Sequence, residues 1–78
     1  MGGVVKSGNQ AHDNACLAAE NARQLAVQGV PSSPAGQVTY NNAEIAYHRA
    51  IIASCKTNNS STGLEASLSA LKSLGVNS

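Results

Sequence analysis

Two prolines three positions apart, in Pro31-Ser32-Ser33-Pro34, constrain this chain more than any other feature. Proline lacks an amide hydrogen and holds φ near about −65°, so Pro31 cannot extend a helix that precedes it, whereas Pro34 suits the first turn of a helix that follows. Alanine-rich segments with helical spacing lie on both sides. The sequence therefore reads as an all-α antiparallel helical hairpin in a single domain, 1–78, behind a flexible segment at 1–7. A helix over about 8–28 leads to the turn at 31–34. A second helix runs from about 35 or 40 to 57, residues 58–61 break or kink it, and a last helix covers about 63–74.

Capping patterns set these limits. Ser7 followed by Gln10 is a capping-box pattern, and Asp13 adds negative charge near the positive end of the helix dipole. Ala11, Ala15, Ala18, Ala22 and Leu25 recur at spacings of four, three, four and three, which draws a narrow seam of small residues suited to a partner helix. Gly29 takes a left-handed position after that helix, with Val30 folding back on Leu25 in a Schellman-type ending. The last helix repeats the grammar: Thr62-Gly63-Leu64-Glu65 reads as a second capping box, Leu64, Leu68, Leu71 and Leu74 form the apolar face, and Gly75-Val76 closes it on Leu71. The middle helix starts either at Pro34 with Ser33 as cap or after Thr39, because Gly36, Val38 and Thr39 are poor helix formers. Beyond Tyr40, one face carries Ala43, Tyr47, Ala50, Ile51 and Ser54, and Glu44 pairs with His48 at i+4.

Composition matters for the core. The chain has 78 residues, no Phe, no Trp and two Tyr, and much of its 42% apolar content is alanine. Burial contributes ~25 cal/mol per Å² of apolar area, so alanine contributes little. A hairpin built this way gains from self-association. Net charge is +1, with Lys or Arg at 6, 23, 49, 56 and 72, so no basic stripe tracks a nucleic acid backbone. The start of the sequence has no secretory-signal pattern, and no apolar run approaches the roughly 20 residues a membrane span requires.

Residues capable of chemistry are few. His12 and Cys16 lie at i and i+4, and a hairpin turning at 32 and 33 places them opposite the neighbourhood of His48 and Cys55. A Cys/His zinc site or redox module is one reading, although His48 and Cys55 are about 10 Å apart along a helix rising ~1.5 Å per residue, too far to share one tetrahedral ion. A Cys16–Cys55 disulfide is another, and two buried free thiols a third. His12 with Asp13, or His48 with Glu44 and Ser54, supplies nucleophile and base types but no strained turn or glycine-rich cradle to orient them. No catalytic residue, cofactor or metal ligand is assigned, and the chain is not read as an enzyme. Tyr40 and Tyr47 are either core or an anchor for a neighbouring chain.

The segment Pro31-Ser32-Ser33-Pro34-Ala35, followed by Tyr40 and Tyr47, resembles the central motif of type III secretion needle subunits, a Pro-Ser-x-Pro turn with aromatic residues at matching distances. Residues 28–40, with the ending Ala70-Leu71-Lys72-Ser73-Leu74-Gly75, also resemble the Hrp pilins of plant-associated bacteria. The chain departs from needle subunits at Asn58 to Ser61, in its cysteines and in lacking phenylalanine. The resemblance implies a homopolymer: a hollow helical filament, secreted to the cell surface without a cleaved signal peptide, that conducts effector proteins and meets the base and tip proteins of the secretion apparatus. It implies subunit contacts through Tyr40, Tyr47, Ile51, Leu68 and Leu71, and a lumen lined by Arg49, Lys56 and Lys72. The alternative is a small helical adaptor in a larger assembly such as a phage virion.

Overall fold

A computed structural model of the protein describes residues 8–76, and these form three helices: α1 (Gln10–Val27), α2 (Pro34–Thr57) and α3 (Leu64–Ser73). The expected flexible segment 1–7 and the Ser7 cap lie outside the described residues. The cap of α1 is instead Asn9, in extended geometry, whose side chain accepts the His12 backbone N–H at 3.1 Å. Asn is as good an acceptor here as Ser, and it stands one residue before the helix where Ser7 stands three.

The proline turn forms as its chemistry requires. Ser33 is the N-cap of α2 and accepts the Gly36 backbone N–H at 3.0 Å, and Pro34 occupies the first turn, so the helix starts at Pro34 and not after Thr39. Gly36 explains how so poor a helix former sits there. A Cβ at this position would collide with the Pro31 carbonyl oxygen, so the absence of a side chain lets the turn fold onto the first turn of α2. Four residues later the Tyr40 hydroxyl donates to the Val30 carbonyl at 2.7 Å and ties the other side of the turn down. Gly36→Ala should cost roughly 1–3 kcal/mol from overpacking against backbone that cannot yield, measured as a lowered denaturant midpoint. Equal stability of this variant and the wild type would show that the turn is not held this way.

Helix endings differ from one another. Gly29 is left-handed at φ 73°, as expected, but the Val30 N–H bonds the Val27 carbonyl at 3.1 Å and Leu25 is exposed, so α1 does not close in a Schellman motif. α3 does: the Val76 N–H reaches the Leu71 carbonyl at 2.9 Å and the Gly75 N–H the Lys72 carbonyl at 3.1 Å. Its partner in this respect is α2, where Asn59 is left-handed at φ 53° and the Ser60 N–H returns to the Cys55 carbonyl at 2.9 Å. Asparagine tolerates the left-handed region better than most residues, so residues 58–63 make a turn to a separate third helix and not a kink in a long second one. At the start of α3 the expected Thr62 capping box is absent. Gly63 is the cap residue, at φ 82°, with no side-chain cap bond.

α2 is the shared wall of the molecule, packing against α1 on one side and α3 on the other. Cys16, Ala19, Tyr47, Ile51 and Cys55 form the central cluster, with half-buried Leu64 against it. Leu71, completely buried, anchors α3, and the expected stripe of Leu64, Leu68, Leu71 and Leu74 is the face that docks. The face of α1 is not the expected one. His12, Cys16, Ala19 and Glu20 are buried, while Ala11, Ala18, Ala22 and Leu25 of the alanine seam are exposed and Ala15 half-buried. Rotating α1 to bury the seam would have left His12 and Cys16 in solvent and their partners on α2 unmatched.

Candidate functional site

Two features stand out among the described residues: a buried polar network at one end of the hairpin and an open alanine groove along it. The network begins with His12, which is wholly buried. Its Nδ1 lies 2.7 Å from the Ser54 Oγ and its Nε2 2.9 Å from the Thr62 carbonyl oxygen. A carbonyl oxygen only accepts, so Nε2 carries the proton. Nδ1 then accepts from the Ser54 hydroxyl, whose oxygen in turn accepts from Asn58 Nδ2 at 2.9 Å. Asn9 Nδ2 donates to the Asn58 carbonyl at 2.9 Å. One imidazole thus ties the start of α1 to the end of α2 and to the turn that leads into α3.

Both cysteines border this network. The Cys16 Sγ lies 3.5 Å from His12 Nε2, and the Cys55 thiol donates to the same Thr62 carbonyl at 3.5 Å. They are buried free thiols. Burial pushes the Cys16 thiol up from its ordinary value, with smaller contributions in the same direction from Cys55 and Asp13. Among the described residues, no three His, Cys, Asp or Glu side chains converge where they could hold a metal ion. His48, considered with Cys55 at the sequence level, points elsewhere: its Nδ1 is 3.3 Å from the Ser67 Oγ on α3. Burial lowers its pKa from the usual histidine value, partly opposed by Glu44.

The expected Glu44–His48 ion pair gives way to one across the hairpin. Glu44 accepts from Arg23 of α1 at 3.1 Å, and the same guanidinium stacks over the Tyr47 ring, 3.9 Å from its centroid. Partly exposed, the pair contributes under about 1 kcal/mol, and its larger effect is to orient Arg23 over the ring. Tyr47 is buried, and burial raises its hydroxyl pKa, opposed by Arg23. Glu20, beside it, is also buried, and its Oε2 has no hydrogen-bond partner among the described residues.

Of the five residues expected between subunits, Tyr47, Ile51 and Leu71 are buried in the chain's own core, and Tyr40 and Leu68 are half-buried. Arg49, Lys56 and Lys72 are exposed. The turn residues Pro31, Ser32 and Pro34 are exposed and Ser33 is half-buried. No described helix is long and apolar enough to cross a membrane.

The surface that sequence reasoning did not identify is the groove between α1 and α2. Ala19, Ala22 and Ala26 line one wall and Ala43, Ala46 and Ala50 the other, with Arg23 and Tyr47 completing a concavity of about 250 Å³. Each wall repeats at i, i+3, i+7, the spacing of one helical face. Ala19 and Ala43 form the floor; Ala22, Ala26, Ala46 and Ala50 remain exposed. The signal was present in the sequence as two matching Ala-x-x-Ala-x-x-x-Ala runs, one on either side of the proline turn.

No family model matches the chain, and no curated protein or solved structure is significantly similar to it.

Proposed function

We propose that this chain is a structural subunit that associates with copies of itself into an extracellular filament of the secretion needle or pilus type, a conduit for secreted proteins. The observation that carries the reading is the groove of exposed alanines running along α1 and α2. Small side chains let a neighbouring helix approach closely, and the exposed Leu25 and Val38 near the turn add apolar area for such a neighbour to cover. Repeated head-to-tail contact between a groove and a different surface builds a filament where the rotation from one subunit to the next does not close into a ring. The subunit contacts then fall on the alanine walls and on half-buried Tyr40 and Leu68, with Tyr47, Ile51 and Leu71 supporting them from within. Exposed Arg49, Lys56 and Lys72 suit a polar lumen that gives passing effector chains few apolar holds. Base and tip proteins of the export apparatus are the further partners this reading carries, and the destination is the cell surface.

The test is a concentration series of purified protein followed by light scattering and negative-stain microscopy. Filaments should appear with the wild type and be absent with Ala46→Glu, which places a charge in the groove without touching the core. A wild type that stays monomeric at every concentration sinks the proposal. A second reading, a helical adaptor held at fixed copy number in a larger assembly such as a virion, draws on α3 folding back onto α2. The described residues then span only 38 × 26 × 17 Å, where an extended hairpin would be longer and thinner. Closed rings in the same micrographs would favour it.

A further inference from the structure

We propose that Cys16 and Cys55 are a reversible dithiol–disulfide pair that covalently joins α1 to α2. The two residues stand on facing helices and belong to one packed cluster with Ala19, Tyr47 and Ile51. Their sulfurs border the same polar group. Cys16 Sγ is 3.5 Å from His12 Nε2, that nitrogen is 2.9 Å from the Thr62 carbonyl oxygen, and Cys55 Sγ is 3.5 Å from that oxygen. Both thiols are free and buried.

The oxidant is a low-molecular-weight disulfide such as oxidised glutathione. The thiolate of one cysteine attacks a sulfur of that disulfide, forming a mixed disulfide and expelling one thiolate. The second cysteine, deprotonated, attacks the protein sulfur of the mixed disulfide, which forms the Cys16–Cys55 bond and expels the second thiolate. The two cysteine protons end on the two released thiols. Two protein thiols are oxidised and one small disulfide is reduced. Attack requires the thiolate, and burial disfavours that form at Cys16. The folded dithiol therefore exchanges slowly and closes the bond during folding or local opening. The crosslink spans a loop of about 40 residues, long enough for restriction of the unfolded chain to raise stability substantially.

The experiment refolds the full chain from denaturant in a reduced and oxidised glutathione buffer, then quenches with acid, alkylates free thiols and weighs the product. The expected species is a monomer lighter than the dithiol by the mass of two hydrogen atoms, resistant to alkylation, with a Tm roughly 10 °C or more above that of the reduced protein. Cys16→Ser should retain one glutathione adduct and lose the gain in Tm, while its circular dichroism matches the reduced wild type. If that variant fails to fold, Cys55→Ser gives the same comparison. A dithiol that persists at equilibrium in the redox buffer, two separate glutathione adducts on one chain, or disulfide-linked dimers would each overturn the pairing.

Discussion

Tyr47→Ala should lose about 3–5 kcal/mol of folding stability, the range for removing a buried aromatic side chain, and read out as a chain that is largely unfolded by circular dichroism at room temperature. Three contributions combine. The ring is buried in the central cluster, where it touches both helices of the hairpin. The Arg23 guanidinium, 3.9 Å from the ring centroid, loses its cation–π partner. Glu44, which holds that guanidinium, is left orienting a cation over a void. Tyr47→Phe separates the effects, since it keeps the ring and should stay within about 1 kcal/mol of the wild type. An alanine variant that remains folded but no longer associates would instead place Tyr47 between chains, as the resemblance to needle subunits implied.

The second large effect belongs to His12. Replacing it with Phe preserves much of the volume but leaves the Ser54 hydroxyl without its acceptor and the Thr62 carbonyl with only the Cys55 thiol as donor. A buried polar group that loses a hydrogen-bond partner costs about 1–3 kcal/mol. A loss of about 2–5 kcal/mol in urea denaturation is expected, with the transition remaining cooperative. The decisive measurement is a double-mutant cycle with Ser54→Ala. Removing both partners of the 2.7 Å bond should cost clearly less than the sum of the single losses, because the second substitution removes a group the first had already stranded. Strict additivity would mean that the two side chains stabilise the fold independently.

Why one part of this architecture could be read from the chain and another could not comes down to which residues carry direction. Pro31, Pro34, Gly29 and Gly75 have backbone requirements that few other conformations meet, so the turn and two helix ends were legible. The leucines of α3 were legible because large apolar side chains on a polar background leave one plausible face. Alanines do not discriminate: on α1 those at 11, 15, 18, 19, 22 and 26 all share one side of the helix at ~100° per residue, yet their methyl groups gain too little from burial to decide which side faces α2. The residues that decide the true face, His12 and Glu20, look like surface residues by type. His12 is buried because Ser54 and Thr62, 42 and 50 positions away, satisfy its two nitrogens. No local spacing encodes that match, although the hairpin register did bring His12 near the stretch 48–55. The cap at Asn9 was missed for a plainer reason, since Ser7 and Asn9 are equally good acceptors and only the helix start chooses between them.

Because, among the described residues, α3 packs mainly on α2, the molecule has a built-in order of disassembly. Releasing ten residues from one wall, across a start that has no side-chain cap, leaves the contacts between the two longer helices in place. Amide protons of the third helix should therefore exchange with solvent through an opening smaller than global unfolding, ahead of those around Tyr47. The sequence of events also has a restraint: the Thr62 carbonyl, held by His12, tethers the strand of chain from which that helix departs, so the hinge stays anchored while the arm swings.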